Sequence, residues 1–78
     1  MTTSLRDEVL EAVRALEPRA YCVNVMDRVS ERRNVDISYG AIWMTLARLE
    51  DAGVLRSWVG EPTPVRGGRA KRFYEEVE

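Results

Sequence analysis

Seventy-eight residues with 45% apolar and 32% charged side chains fit one small soluble domain, residues 1–78, whose core is marginal at this size. A single cysteine and no histidine exclude an internal disulfide and a zinc-finger ligand set, and no apolar run approaches the roughly 20 residues that span a bilayer. The net charge of −1 argues against a uniformly basic nucleic-acid binder but leaves room for a local basic patch.

Ser4 reads as the N-cap of a first helix, with Asp7 three residues on. Leu5, Val9, Val13 and Leu16 form one apolar stripe to about Glu17, and Pro18 ends the helix. Leu10 lies beside that stripe and widens it, which makes this helix the first choice for a dimer seam. The N-terminus has no basic flank and no apolar signal core, and the lone Cys22 suits a reducing compartment, so the expected location is the cytoplasm.

A second helix is expected over 20–33, with Cys22, Val25, Met26 and Val29 on one face. A free cysteine there is better explained as a buried apolar position than as a redox sensor. Arg28, Arg32 and Arg33 lie off the stripe. They suit either a DNA backbone or a solvated face balanced by Asp27 and Glu31. Asn34-Val35-Asp36-Ile37 breaks the helical period and reads as a brief strand or extended turn.

Ser38 caps a third helix over 39–52, with Ile42, Leu46 and Leu49 inward and Gly53 at a left-handed C-terminal cap. Its outward and N-terminal side is Tyr39, Ala41, Met44, Thr45 and Arg48. Trp43, on the border of the inner face, reads as a core or near-core anchor ahead of the alternative of a ligand pocket or dimer seam. Glu50-Asp51 reads as solvated charge or a clamp for a nearby arginine. A strand is expected over 54–61, where Trp58 suits either the core or a pocket or dimer seam, and a returning strand over 71–77. Between them lies a Pro- and Gly-rich loop.

From Arg56 to Arg72 there are five cations (Arg56, Arg66, Arg69, Lys71, Arg72) against Glu61 alone. Three helices followed by a two-stranded hairpin with a cationic tip is the layout of a winged helix-turn-helix, an α+β fold. In helix-turn-helix proteins the second helix of the motif enters the major groove. That helix is here 38–52. Arg48 suits guanine or phosphate, Ala41 and the Thr45 methyl suit thymine methyl groups, and Ser38 with the free amides suits a phosphate oxygen. Arg66, Arg69, Lys71 and Arg72 around Gly67-Gly68 suit the backbone or the minor groove. Gly67-Gly68 lacks the pattern of a nucleotide-binding loop, and nothing resembles a catalytic set, so neither an enzyme nor a cofactor is expected.

Ser38-Tyr39-Gly40-Ala41-Ile42-Trp43-Met44-Thr45-Leu46-Ala47-Arg48-Leu49-Glu50-Asp51-Ala52-Gly53-Val54-Leu55, with Gly67-Gly68-Arg69-Ala70-Lys71-Arg72-Phe73-Tyr74 after it, resembles the PadR-like transcriptional regulators. The resemblance implies a bacterial DNA-binding repressor that binds operators as a homodimer, with base contacts on Ser38 to Arg48 and backbone contacts on the wing. Trp43 stands where that family usually has Tyr, and the family's helical dimerisation region after the wing is expected to be absent. The competing function is a winged-helix protein-interaction module, an antirepressor or adaptor, without direct DNA binding. The sequence names no small-molecule effector.

Overall fold

The computed structural model describes residues 4–60 and 71–77. Its elements are α1 (Leu5–Leu16), β1 (Ala20–Tyr21), α2 (Cys22–Arg33), α3 (Tyr39–Asp51), β2 (Leu55–Val59) and β3 (Arg72–Glu76). The three helices and the antiparallel sheet, in strand order β1-β3-β2, make a winged helix. β3 is the central strand, pairing Ala20 with Tyr74 on one side and Ser57 with Tyr74 on the other.

The helices begin and end where local chemistry directs. The Ser4 hydroxyl accepts from the Asp7 amide at the start of α1, and the Ser38 hydroxyl accepts from the Ala41 amide at the start of α3. α1 stops at Leu16, just ahead of Pro18, as its sequence requires. At the end of α3 the Val54 amide bonds the Leu49 carbonyl and the Gly53 amide bonds the Glu50 carbonyl. These are the paired closing bonds of a Schellman motif, and they require Gly53 at a φ of +78°. Nothing lies within 4 Å of a methyl group built on Gly53, so the cost of Gly53→Ala is backbone strain alone. The expected loss is about 1–2 kcal/mol in chemical denaturation, since that is the penalty of an L-residue in the left-handed region.

Two stretches differ from the sequence-based expectation. Of the brief strand or extended turn read at 34–37, the turn forms and the strand does not. Asn34 closes α2 in the left-handed conformation, with φ of 55°, and the Val35 amide returns to the Ser30 carbonyl. Asn tolerates that conformation at little cost, which is why the helix turns there and does not extend. The short strand is instead Ala20–Tyr21, which the expected second helix had absorbed. Asn24 fixes the start of α2 at that point: its carbonyl oxygen accepts from the Tyr21 amide and its amide donates to the Arg19 carbonyl, both at 2.8 Å. Ala20 and Tyr21 are thereby free to pair with β3.

The core is built from Val9, Ala12 and Val13 of α1, Ala20, Val25 and Val29, the α3 stripe Ile42, Leu46 and Leu49, and Leu55 and Tyr74 from the sheet. Leu5, Leu16, Cys22 and Met26 pack around its margin, half-buried. Leu10 does the same, so it serves this chain's own core and offers less to a dimer seam than its place beside the stripe suggests. Trp43 was expected in the core and is not: it is 49% exposed. The inner face of α3 is already filled by Ile42, Leu46 and Leu49, and the neighbouring position turns away from it. Trp58 is also exposed, with its ring tilted against Phe73 at 6.0 Å between centroids.

Candidate nucleic-acid interface

The filled inner face of α3 dictates what the helix shows to solvent. Tyr39 is 53% and Met44 47% exposed, Trp43 lies beside them, and Arg48 is exposed one turn after Met44. Ala41 and Thr45 are half-buried and thus less prominent than their sequence positions suggest. The Thr45 hydroxyl donates to the Ala41 carbonyl at 2.7 Å, which commits its proton and leaves its lone pairs and methyl for a partner. Ser38 is exposed, with its oxygen already used as the cap of α3. The first-turn amides of Tyr39 and Gly40 have no intrahelical carbonyl within reach, as at any helix start.

The root of the hairpin stands beside this helix. Tyr21, Cys22 and Val23 from the start of α2, Tyr39 and Trp43 from α3, and Lys71, Arg72 and Tyr74 from the returning strand line a groove of about 460 Å³. The Lys71 ammonium sits 4.4 Å from the Tyr21 ring centroid, a cation–π contact, and Tyr21 meets Phe73 edge-on. Burial pushes the Cys22 thiol above its ordinary pKa, opposed in part by a hydrogen bond with Tyr39, so the thiol rather than the thiolate faces this groove at neutral pH. Arg66 and Arg69, the remaining wing cations expected to meet DNA, lie outside the described residues.

Charge pairing separates the cations into two groups. Arg28 and Arg32 both bind Glu11, and Arg33 binds Glu8. These are contacts between α2 and α1, so the arginines are balanced by α1 and not by Asp27 and Glu31. The Arg28 guanidinium, chiefly by its hydrogen bond, holds the Glu11 carboxyl below its ordinary pKa. That contribution is present at neutral pH and fades as pH falls through the lowered value. Arg14 pairs with Glu76 and Arg56 with Glu75. Among the described residues, Arg48, Lys71 and Arg72 make no ion pair, nor does Arg19 in the turn between α1 and β1. Arg72 has a different arrangement: its Nη1 donates to the Ser57 hydroxyl at 2.9 Å, and that hydroxyl donates to Glu50 at 2.6 Å. Of the two readings of Glu50, solvated charge or arginine clamp, neither holds directly: Glu50 accepts from Ser57, which in turn accepts from Arg72.

Sequence reasoning placed Tyr39, Met44, Arg48, Lys71 and Arg72 on the exposed surface, where the structure has them. It ranked the core ahead of a pocket for Trp43, which lines the groove, and it missed Tyr21 and Ser57. Trp43 was legible in principle, being next to a complete three-residue inner stripe. Tyr21 and Ser57 were not, because their roles depend on which strands pair.

No family model matches the sequence, and no curated protein matches it. Among solved structures the fold is similar to that of a PadR-like transcription factor from Bacteroides fragilis, with a TM-score of 0.75 at 19% sequence identity. The similarity covers 94% of this chain and 65% of that one. At that identity the likeness establishes the winged-helix fold. Among the described residues no helix is long and apolar enough to cross a membrane.

Proposed function

We propose that the chain is a sequence-specific DNA-binding transcriptional regulator, a repressor of the PadR-like kind. Helix α3 reads the major groove, and the basic hairpin touches the backbone or minor groove. The observation that carries this reading is the charge segregation. Arg28, Arg32 and Arg33 of α2 are paired with carboxylates of α1, whereas among the described residues Arg48, Lys71 and Arg72 make no ion pair on the side of α3 and the hairpin root. A net charge of −1 is then compatible with phosphate binding, because Glu8 and Glu11 are engaged on the α1–α2 side and Glu75 and Glu76 are paired with Arg56 and Arg14. Ser38, Tyr39, Ala41, Met44, Thr45 and Arg48 are the proposed groove contacts, and Arg66, Arg69, Lys71 and Arg72 the proposed backbone contacts. Trp43 joins the first set by its exposure. The role is binding alone, as one domain in the cytoplasm, with no cofactor and no chemical step. Selection of bound duplexes from a random pool, followed by affinity across salt concentrations, tests it. A selected motif with a steep salt dependence supports the proposal, and salt-independent or absent duplex binding overturns it.

Gly40 offers an independent check. It lies in the first turn of α3, and glycine is a poorer helix former than alanine, yet nothing lies within 4 Å of a methyl group placed there. The fold itself has no use for the missing side chain. Close approach of a DNA backbone to the first-turn amides does. Gly40→Ala is expected to raise the thermal midpoint while weakening duplex binding. A variant that is more stable and binds equally well removes the close-approach argument.

The second reading, a protein-interaction module, draws on the exposed Tyr39 and Trp43, which line a groove with Val23, and on the exposed Met44. Homodimer formation is part of the first reading, because one helix and one hairpin cover too few base pairs for good specificity, and two-fold proteins read two half-sites. With Leu10 occupied by its own core, the edge strand β2 is the favoured seam, where Val59 is 59% exposed beside Trp58. Light scattering at micromolar concentration should give the dimer mass, and Val59→Lys should lower it. A wild-type protein that is monomeric both free and on DNA overturns the dimer.

A further inference from the structure

Glu50, Ser57 and Arg72 belong to three different elements, α3, β2 and β3, and meet in one directional chain of hydrogen bonds. A serine hydroxyl has a single proton. Here it points to Glu50 Oε2 at 2.6 Å, so the lone pairs of Ser57 are turned toward Arg72 Nη1 at 2.9 Å. The carboxylate thus orients an acceptor for the guanidinium without touching it. The backbone places the parts to match. Ser57 stands opposite Tyr74 in the β2–β3 ladder, and Arg72 precedes Tyr74 by two, so all three share the sheet face that packs toward α3. Tyr74 is buried there. Its hydroxyl is held above its ordinary pKa first by burial and then by the Glu50 charge, with Arg72 acting in the opposite direction.

We propose that Glu50 is a positioning residue for the hairpin: through Ser57 it holds the Arg72 guanidinium beside α3 in the orientation that meets a DNA phosphate. The inference rests on the DNA-binding reading above. Two physical features favour it. A long arginine side chain loses rotamer freedom when it binds, and ordering it in the free protein removes that cost from association. The interposed serine also matters. A direct Glu–Arg pair would engage the guanidinium as a fork and satisfy much of its charge, whereas one bond to a hydroxyl uses one of its five donors and leaves the charge for phosphate.

Duplex affinity across salt concentrations, on the sequence selected by the wild-type protein, tests the relay. Simple electrostatics predicts that Glu50→Ala, by removing an acid near DNA, binds tighter. The relay predicts the reverse: Glu50→Ala and Ser57→Ala each bind about five- to tenfold more weakly, the scale of one lost charge-assisted contact. Their salt slopes should approach that of Arg72→Ala, lower than wild type by about one unit. The double variant Glu50→Ala/Arg72→Ala should lose no more than Arg72→Ala alone. Glu50→Gln, whose amide oxygen still accepts from Ser57, should retain most of the affinity. Ser57→Ala preserves the test if Glu50→Ala does not fold. Tighter binding by Glu50→Ala, an unchanged slope in Ser57→Ala, or additive losses in the double variant overturns the relay while leaving the DNA-binding reading intact. An Arg72→Ala slope equal to wild type does the same. A wild-type protein with no salt-dependent duplex binding overturns the reading on which the relay rests.

Discussion

Leu46→Ala is expected to lower stability by about 2–5 kcal/mol, the range for truncating a fully buried leucine. Leu46 is wholly inaccessible and sits mid-stripe between Ile42 and Leu49, where α3 meets both α1 and α2. Domains are stable by only about 0.05–0.15 kcal/mol per residue, so the loss is a large share of what a chain this short has. At about 4–8 °C per kcal/mol for a small domain, the thermal midpoint should fall by roughly 10–30 °C in a circular-dichroism melt. Met44→Ala, two residues away and 47% exposed, should change stability by no more than about 0.5 kcal/mol. The contrast carries the test. Equal losses at Leu46 and Met44 would mean that α3 is rotated about its axis from the orientation described, and the proposed contact surface would rotate with it.

That orientation was readable from the residues because two independent signals agreed. The Ile42, Leu46, Leu49 spacing fixed the inner face, and Gly53 fixed the end of the helix through a left-handed cap that only a few residue types tolerate. α1 was equally plain, since Ser4 and Pro18 bracket it. Where the reading went astray, the deciding interaction was non-local or too short to have a period. β1 has two residues, and Ala20–Tyr21 carries no alternation to detect; it is a strand only because β3 offers it an edge. Asn34 reads as the start of a brief strand or extended turn because its sequence signal, a polar break in a helical pattern, does not distinguish a left-handed cap from either. Trp43 shows the limit of residue-type preference. Large aromatics usually go inside, but the inner face of α3 was already complete, and position on the wheel outweighed hydrophobicity. The site was legible to the same degree. Lys71 and Arg72 could be nominated from charge concentration, and Arg48 from its place opposite the inner stripe of α3. Which arginines would be consumed by ion pairs could not, because Glu8 and Glu11 reach α2 only once α1 is packed against it.

The difference between those two sets of arginines gives the second large effect. Arg48→Ala/Arg72→Ala and Arg28→Ala/Arg32→Ala change net charge by the same amount, on opposite sides of the charge segregation. If binding responded to net charge, the two pairs would weaken it equally. If phosphates are met by Arg48 and Arg72, the first pair removes two counterion-releasing contacts and the second removes few or none. Each contact scales affinity by salt concentration to about the −0.9 power, so two lost contacts should cost about 30-fold at ~0.15 M salt and about 200-fold at ~0.05 M. The salt slope should fall by about two units in the first pair and stay near wild type in the second. The second pair does break the Glu11 contacts, but exposed ion pairs are worth about 0–1 kcal/mol each, so its fold should survive with a modestly lower midpoint. Equal slopes and equal affinities in the two double variants would show that DNA, if bound, is not met by α3 and the hairpin root. A larger loss in the Arg28/Arg32 pair would move the contact surface to α2.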